Sequence, residues 1–236
     1  MSHPRTGSSL TRSVEDYLKA IYHQSARSGS GTTSDIAEEL GVAPASVTGM
    51  VKRLSESGLV EHEPYHGVRL TGSGRRAALR TIRRHRILET YLIAKLGYDW
   101  ANVHEEAERL EHAVSDTLVD RMAEALGNPR YDPHGDPIPT SDGVIEETVW
   151  FPLDQAVVGE SVWLRQVRHG DPERLRYLDR LGLHPGTRLT VLERQPFNGP
   201  TTVRLPARES ATDSPVREHT IGRELALGLL CSVEER

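Results

Sequence analysis

The chain is 236 residues long, 36% hydrophobic and 27% charged, with a mean hydropathy of −0.50 and a formal net charge of −5. This is enough sequence for two or three small domains with buried cores, too polar for a membrane protein and too apolar for a disordered one. No apolar run is long enough to span a bilayer, and Cys231 is the single cysteine, which excludes an internal disulfide and a thiolate zinc cluster.

The polar start MSHPRTGSSLTRSVED has no signal-peptide core, so a cytoplasmic protein is expected. Residues 13–24 carry Val14, Tyr17, Leu18, Ile21 and Tyr22 at helical spacing and predict a first helix. SDIAEELGV reads as a short helix with Ser34 as its cap and Gly41 as its stop. Pro44–Ser57 is a third helix, with Val47, Met50, Val51 and Leu54 on one face and Gly58 closing it. LVEHEPYHGVRLT alternates around a Pro-Tyr-His-Gly turn, as a hairpin does. Helix, turn, helix and hairpin in that order predict a winged helix-turn-helix.

Two long amphipathic helices follow, from about Ser73 to Leu96 and from about Trp100 to Leu126; their apolar stripes call for a partner surface and predict a homodimer. Residues 127–152 hold too many Gly and Pro for regular structure and read as a linker. Beyond it SVWLRQVR, GTRLTVLER, TTVRLPA and LGLLCSV read as strands and PERLRYLDRLG as a short helix, so a small β-barrel is expected, with Cys231 as a buried strand thiol. The predicted fold is α+β, divided into a winged helix-turn-helix domain at 1–72, a helical dimerisation and metal-binding domain at 73–140, a linker at 141–152 and a barrel at 153–236.

Charge is unevenly spread. Gly41–Arg86 carries nine Lys or Arg against three acids, and Asp99–Glu146 carries twelve acids against three Arg. A basic module beside an acidic one fits phosphate binding by the first and cation binding by the second. In HEEAERLEHAVSD, a continuous helix would place His104, Glu108 and Glu111 within about 60° of one another with His112 alongside, at the edge of the stripe Val103, Ala107, Leu110 and Val114. Carboxylates crowded there repel one another unless a cation compensates them. His85 and Glu89, four apart on the preceding helix, form a second such pair, which antiparallel packing could bring to His104. Each cluster alone also fits a solvated helix face. His104-Glu105 opens like a zinc-protease helix, but Glu108 stands where that motif needs its second histidine, so an enzyme is not expected.

SVEDYLKAIY, RRHRILE, VHEEAERLEHAVSD, Asn128-Pro129 and HGDPIP together resemble the diphtheria toxin repressor family of metalloregulators, whose C-terminal barrel is SH3-like. The resemblance implies a primary metal site at Asp16, Glu108, Glu111 and His112, and an ancillary site at His85, Glu89 and His104 with further ligands from the barrel. In the iron-sensing branch the positions of Asp16 and Glu108 are Met and Cys. Two carboxylates resemble the manganese-sensing branch instead, and hard oxygen donors suit Mn²⁺. Lys19 stands where one barrel-less manganese-sensing subgroup has Glu, which argues against that subgroup's two-metal arrangement. The barrel loop VRHGDPERL lacks the iron branch's Glu and Gln ligands, and Asp171 is the expected replacement, with His169 and Glu173 behind it.

On the DNA side, the resemblance places the third helix in the major groove. Ser34, Ser46 and Thr48 are typed for phosphate or base-edge contacts, and Lys52 and Arg53 for the backbone. Ala43, Ala45 and Gly49 occupy base-reading positions, where small groups can touch thymine methyls but cannot form bidentate hydrogen bonds. The expectation is a Mn²⁺-dependent repressor of metal-uptake genes that binds palindromic double-stranded operator DNA as a metal-activated homodimer, with no membrane partner. The alternatives are an Fe²⁺-dependent repressor of the same family and a winged-helix regulator that senses an organic ligand.

Overall fold

The computed structural model describes residues 10–63, 67–168, 171–206 and 217–234, so the Pro64-Tyr65-His66 turn and His169 lie outside the described residues. Internal contacts divide the chain into two units, one of residues 1–88, 108–122 and 138–145, the other of residues 89–107, 123–137 and 146–236.

The first unit opens with α1 (Arg12–Ser28), capped by the Thr11 hydroxyl and ended by Gly29 in the left-handed region. α2 (Thr33–Leu40) starts two residues earlier than a Ser34 cap implies. Thr32, not Ser34, is its cap, because Thr32 and Asp35 form a reciprocal capping box that Ser34 cannot make. α3 (Pro44–Glu56) follows, with Val47, Val51 and Leu54 buried, and then the antiparallel pair β1 (Val60–Glu63) and β2 (Gly67–Leu70). Leu18, Ile21, Ile36, Val47, Leu54, Val60, Val68 and Ala78 form one core, so the winged helix-turn-helix coheres through the apolar stripes read from the sequence. α4 (Gly72–Leu96) begins in this unit, where Arg83 bonds the Pro139 carbonyl at 3.0 Å and Asp120 at 2.9 Å.

The helix expected over Trp100–Leu126 is two helices, α5 (Val103–Leu110) and α6 (Asp116–Ala125). The amides of Ala113 and Val114 both turn back to the Leu110 carbonyl, and the Ser115 hydroxyl accepts from the Leu118 amide at 3.2 Å. Ser115-Asp116 is a helix-start signal, and it overrides the continuous apolar stripe. Glu111 and His112 therefore sit in a turn rather than on a helix face.

In the second unit a six-stranded antiparallel sheet has the order β3-β8-β4-β5-β6-β7: β3 (Phe151–Pro152), β4 (Ser161–Val167), β5 (Arg188–Arg194), β6 (Thr201–Leu205), β7 (Arg217–Ile221) and β8 (Leu229–Ser232). Register shifts interrupt the β4–β8 and β5–β6 ladders, as bulges do in small curved sheets. α7 (Pro172–Leu181) and a short α8 (Arg223–Gly228) complete it. The four expected strands are present; β3, β7 and α8 were not foreseen. β3 is only two residues long, and β7 is an edge strand that exposes Glu218 and Thr220. Leu153, Leu164, Leu178, Leu189, Val203 and Cys231 lie in its core, and burial pushes the Cys231 thiol up to about 12.

Residues 127–150 contain no helix or strand. Yet part of this breaker-rich stretch is fixed. The Asp132 carboxylate accepts from the amides of His134 and Asp136 at 2.8 and 3.0 Å, and the Val167 amide bonds the His134 carbonyl at 2.9 Å. Gly135 (φ +91°) lies so near β4 that an added Cβ would stand 1.9 Å from the Arg165 carbonyl oxygen. We expect Gly135→Ala to destabilise the protein by about 1–3 kcal/mol through backbone strain and displacement of the loop. Gly49→Ala, in open space on α3, should leave stability unchanged or raise it by up to about 1 kcal/mol. Urea unfolding of both variants checks this.

Candidate metal centre

Three of the four expected primary ligands meet in the first unit. Asp16 comes from α1, and Glu111 and His112 come from the turn after α5; one ligand atom of each lies within 4.8 Å of the others. Glu111 is completely buried. His112 Nε2 is 2.8 Å from Asp16 Oδ1 and 3.3 Å from Glu111 Oε1, yet it is a buried atom with no aligned hydrogen bond. The imidazole nitrogen and the two carboxylates thus lie close enough together to share one cation.

His112 is oriented from behind. Its Nδ1 bonds Glu15 at 2.7 Å, and Glu15 is itself buried and held by Arg84 at 3.2 Å. Arg84 also bonds Asp116 of α6 at 2.9 Å. A carboxylate on Nδ1 fixes the ring and leaves Nε2 as the ligating nitrogen. The sequence reading missed Glu15, although its place beside Asp16 on an amphipathic helix was the available clue.

Glu108, the fourth expected primary ligand, bonds the Lys19 ammonium. Lys19 Nζ also lies 3.0 and 3.1 Å from the two Glu111 oxygens. His85, expected in the ancillary site, bonds Glu111 Oε2 through Nδ1 at 2.6 Å.

The other expected ancillary ligands, Glu89 and His104, belong to the second unit, where His104 Nδ1 is 3.1 Å from Glu89 Oε1. Here Glu89 is grouped with Asp132 and His134, again with ligand atoms within 4.8 Å. His134 Nε2 donates to the Trp100 carbonyl at 3.1 Å, the Trp100 ring stacks on the imidazole at 5.2 Å, and Trp100 Nε1 bonds the Pro133 carbonyl. That leaves His134 Nδ1 facing Glu89, 3.8 Å away. The sequence reading placed Asp132 and His134 only in a linker; a carboxylate and an imidazole two residues apart, between prolines and before a glycine, were the signal. Asp171 caps α7 by accepting from the Arg174 amide at 2.8 Å, and it and Glu173 are exposed.

Both groups offer only carboxylate oxygen and imidazole nitrogen, a donor set that suits Mn²⁺ or Fe²⁺ and contains no sulfur. On the DNA side, Ser34, Ala43, Ala45, Ser46, Thr48, Gly49, Lys52 and Arg53 are all exposed. Thr33, Thr48, Val51, Lys52, Ser55 and Glu56 line a cleft of about 280 Å³ along α2 and α3. Ala43 precedes α3 without a side-chain cap, and Thr48 donates to the Pro44 carbonyl.

Residues 9–68 match the family model for the iron dependent repressor N-terminal DNA binding domain, residues 71–140 the iron dependent repressor metal binding and dimerisation domain, and residues 151–214 the FeoA domain. The iron-dependent repressor IdeR of Mycobacterium tuberculosis is 30% identical over 215 residues, 86% of this chain and 93% of that protein. The chain belongs to the diphtheria toxin repressor family. The transcriptional regulator MntR of Lysinibacillus sphaericus is 39% identical over 116 residues, 49% of this chain and 83% of that protein. A solved structure described as a manganese-dependent transcriptional repressor in complex with manganese superposes with a TM-score of 0.81 at 38% identity, covering 94% of this chain and all of that one. Family membership makes this chain a DNA-binding, dimerising transcriptional regulator rather than an enzyme, with an SH3-like C-terminal domain. Among the described residues, no helix is long and apolar enough to cross a membrane.

Burial raises the Asp16 pKa despite the opposing pull of His112 and Arg12. Burial works against a charged His134, but Glu89, Asp132 and the Trp100 carbonyl outweigh it and raise that pKa as well. Each group holds its proton to a higher pH than usual, and a metal ion must displace those protons. Apparent Mn²⁺ affinity should therefore fall as pH drops from about 8 to about 6, the range in which histidine titrates. Equilibrium dialysis across that range checks this, and a flat profile would contradict it.

Proposed function

We propose that this chain is a manganese-responsive transcriptional repressor in which Asp16, Glu111 and His112, with Glu108 beside them, hold the activating ion. The observation that carries this reading is the grouping of Asp16 and Glu111 with the buried His112 Nε2, which makes no aligned hydrogen bond. Asp16 belongs to the helix that packs against α2 and α3, whereas Glu111 and His112 belong to the turn after α5. A divalent ion held there supplies the positive charge that lets these donors share one space. The chain supplies the consequence: α1, and with it the DNA-reading α3, becomes tied to the α5–α6 turn. Such coupling is typically worth about 1–3 kcal/mol.

The domain division 1–72, 73–140, 141–152 and 153–236 belongs to the same reading. So does a palindromic operator, since a two-fold dimer presents two α3 helices to successive major grooves. Ser34, Ser46, Thr48, Lys52 and Arg53 serve the phosphates, and Ala43, Ala45 and Gly49 serve the base edges. We place the protein in the cytoplasm, controlling metal-uptake genes. Glu89, Asp132 and His134, with His104, form a second centre that fixes the Pro133–Pro137 segment. His85 acts through Glu111 in the first unit, and Asp171 is a candidate barrel ligand.

The manganese-dependent structural relative and the all-oxygen-and-nitrogen donor set support Mn²⁺, while the extent of the IdeR similarity keeps Fe²⁺ as the second reading. His112→Ala or Glu111→Ala should abolish Mn²⁺-activated operator binding in gel shifts, with dimerisation intact by sedimentation. His85→Ala should weaken the response without abolishing it. Asp16→Met combined with Glu108→Cys should move the preference from Mn²⁺ toward Fe²⁺, Co²⁺ or Ni²⁺, because Mn²⁺ stands lowest in the affinity order and loses most when carboxylates become sulfur donors. A double mutant that still responds best to Mn²⁺ would remove the case for manganese over iron.

A further inference from the structure

We propose that a cleft between α1, β2 and the start of α4 is a binding site for a tetrahedral oxyanion, a phosphate group carried either by a small ligand or by the DNA backbone. The site shares no residue with either metal group, and none of its lining residues comes from α2 or α3.

Tyr22, Ser25 and Ala26 lie near the C-terminus of α1, at the spacing that puts helical neighbours on one face. Arg69 and Leu70 come from β2, and Arg75 comes from the first turn of α4. These residues line a space of about 210 Å³. One water molecule takes roughly 30 Å³ in the liquid, so a phosphate group fits there with room for a small organic body.

The charge of this lining is uncompensated. No carboxylate lines the cleft, and among the described residues neither Arg69 nor Arg75 has an ion-pair partner. Glu61 stands opposite Arg69 in the β1–β2 ladder, yet no ion pair joins them. Arg75 carries its guanidinium 5.3 Å from the centre of the Tyr22 ring, a contact that orients the cation without neutralising it. A planar guanidinium presents paired N–H donors that match two oxygens of a phosphate. The Ser25 hydroxyl is buried and has no hydrogen-bond partner, although a helical serine can bond the carbonyl one turn back. A buried hydroxyl without a partner calls for one that the chain does not supply. Two unpaired cations beside an unused hydroxyl donor complement an oxyanion, with the arginines supplying charge and the serine a neutral hydrogen bond.

The test takes the metal-free full-length homodimer and inorganic phosphate at constant ionic strength, with binding read from phosphorus NMR line broadening and from the rise in melting temperature. Binding should saturate at one phosphate per subunit. Arg69→Gln and Arg75→Gln should each weaken it by about tenfold, the scale of a charge-assisted hydrogen bond, and Ser25→Ala by about fivefold. Ser25→Ala should also leave the phosphate-free protein as stable as before or more so, because its hydroxyl has no partner to lose; a lower phosphate-free melting temperature would mark the serine as structural and count against the site. Arg188→Gln, at an exposed position on β5, controls for net charge, and an equal loss of phosphate binding there would overturn the inference. A second arm measures affinity of the same homodimer for a mixed-sequence DNA duplex against salt concentration. If a backbone phosphate sits in the cleft, combining Arg69→Gln with Arg75→Gln should lower the slope of log affinity against log salt by about one. Phosphate binding that the variants lose, with an unchanged slope, assigns the site to a free ligand; a lower slope without phosphate binding assigns it to the DNA backbone. Absence of saturable phosphate binding together with an unchanged slope would overturn the inference.

Discussion

Glu111 is a carboxylate with no exposed surface, and the first unit is arranged to compensate it. A buried negative charge costs several kcal/mol unless cations or donors surround it. Lys19 reaches it from α1 and His85 from α4, and His112 is its neighbour in sequence. Three segments distant in sequence thus converge on one side chain. The compensation is incomplete in a specific direction: His112 Nε2 and Asp16 face Glu111 without an aligned hydrogen bond. Under the proposed function a divalent ion fills that gap.

The break between α5 and α6 creates this arrangement. Had the helix run on, Glu111 and His112 would have stayed on a ridge with Glu108 as their helical neighbour. The Leu110 carbonyl instead closes a turn, and Ser115 starts α6 in a new direction. Arg84 then links Asp116 at the start of α6 to Glu15 on α1, and Glu15 holds His112. The orientation of the His112 imidazole is therefore tied to both helices. In the second unit, a breaker-rich segment without helix or strand presents His134 accurately because Trp100, Asp132 and the β4 backbone grip it from three sides.

Much of this was legible in the sequence, because the relevant signals are local. The stripes of α1 and α3, Gly41 and Gly58 as stops, and the alternation of β1 and β2 each report on a few adjacent residues and suffice for the winged module. The crowding of Glu108, Glu111 and His112 was legible as a cluster of donor side chains, and the structure brings Glu111 and His112 together with Asp16. What failed depended on competition between signals or on contacts across the chain. Ser115 competed with a continuous stripe and won, and the Thr32 capping box displaced Ser34. The roles of Lys19, His85 and His134 depend on residues 26 to 92 positions away, which periodicity does not register. The resemblance supplied the ligand names; the structure adds a hydrogen bond from His85 to Glu111 and sets Asp132 and His134 beside Glu89.

Hydrogen exchange of the full-length dimer, metal-free and with Mn²⁺, most directly tests whether the ion joins α1 to the α5–α6 turn. Backbone amides of α1 and of residues 111–116 should gain protection together, at the same Mn²⁺ concentration, and His112→Ala should abolish both gains. Protection confined to one of the two segments, or gained by them at different Mn²⁺ concentrations, would contradict a shared ion as the link between DNA reading and metal binding.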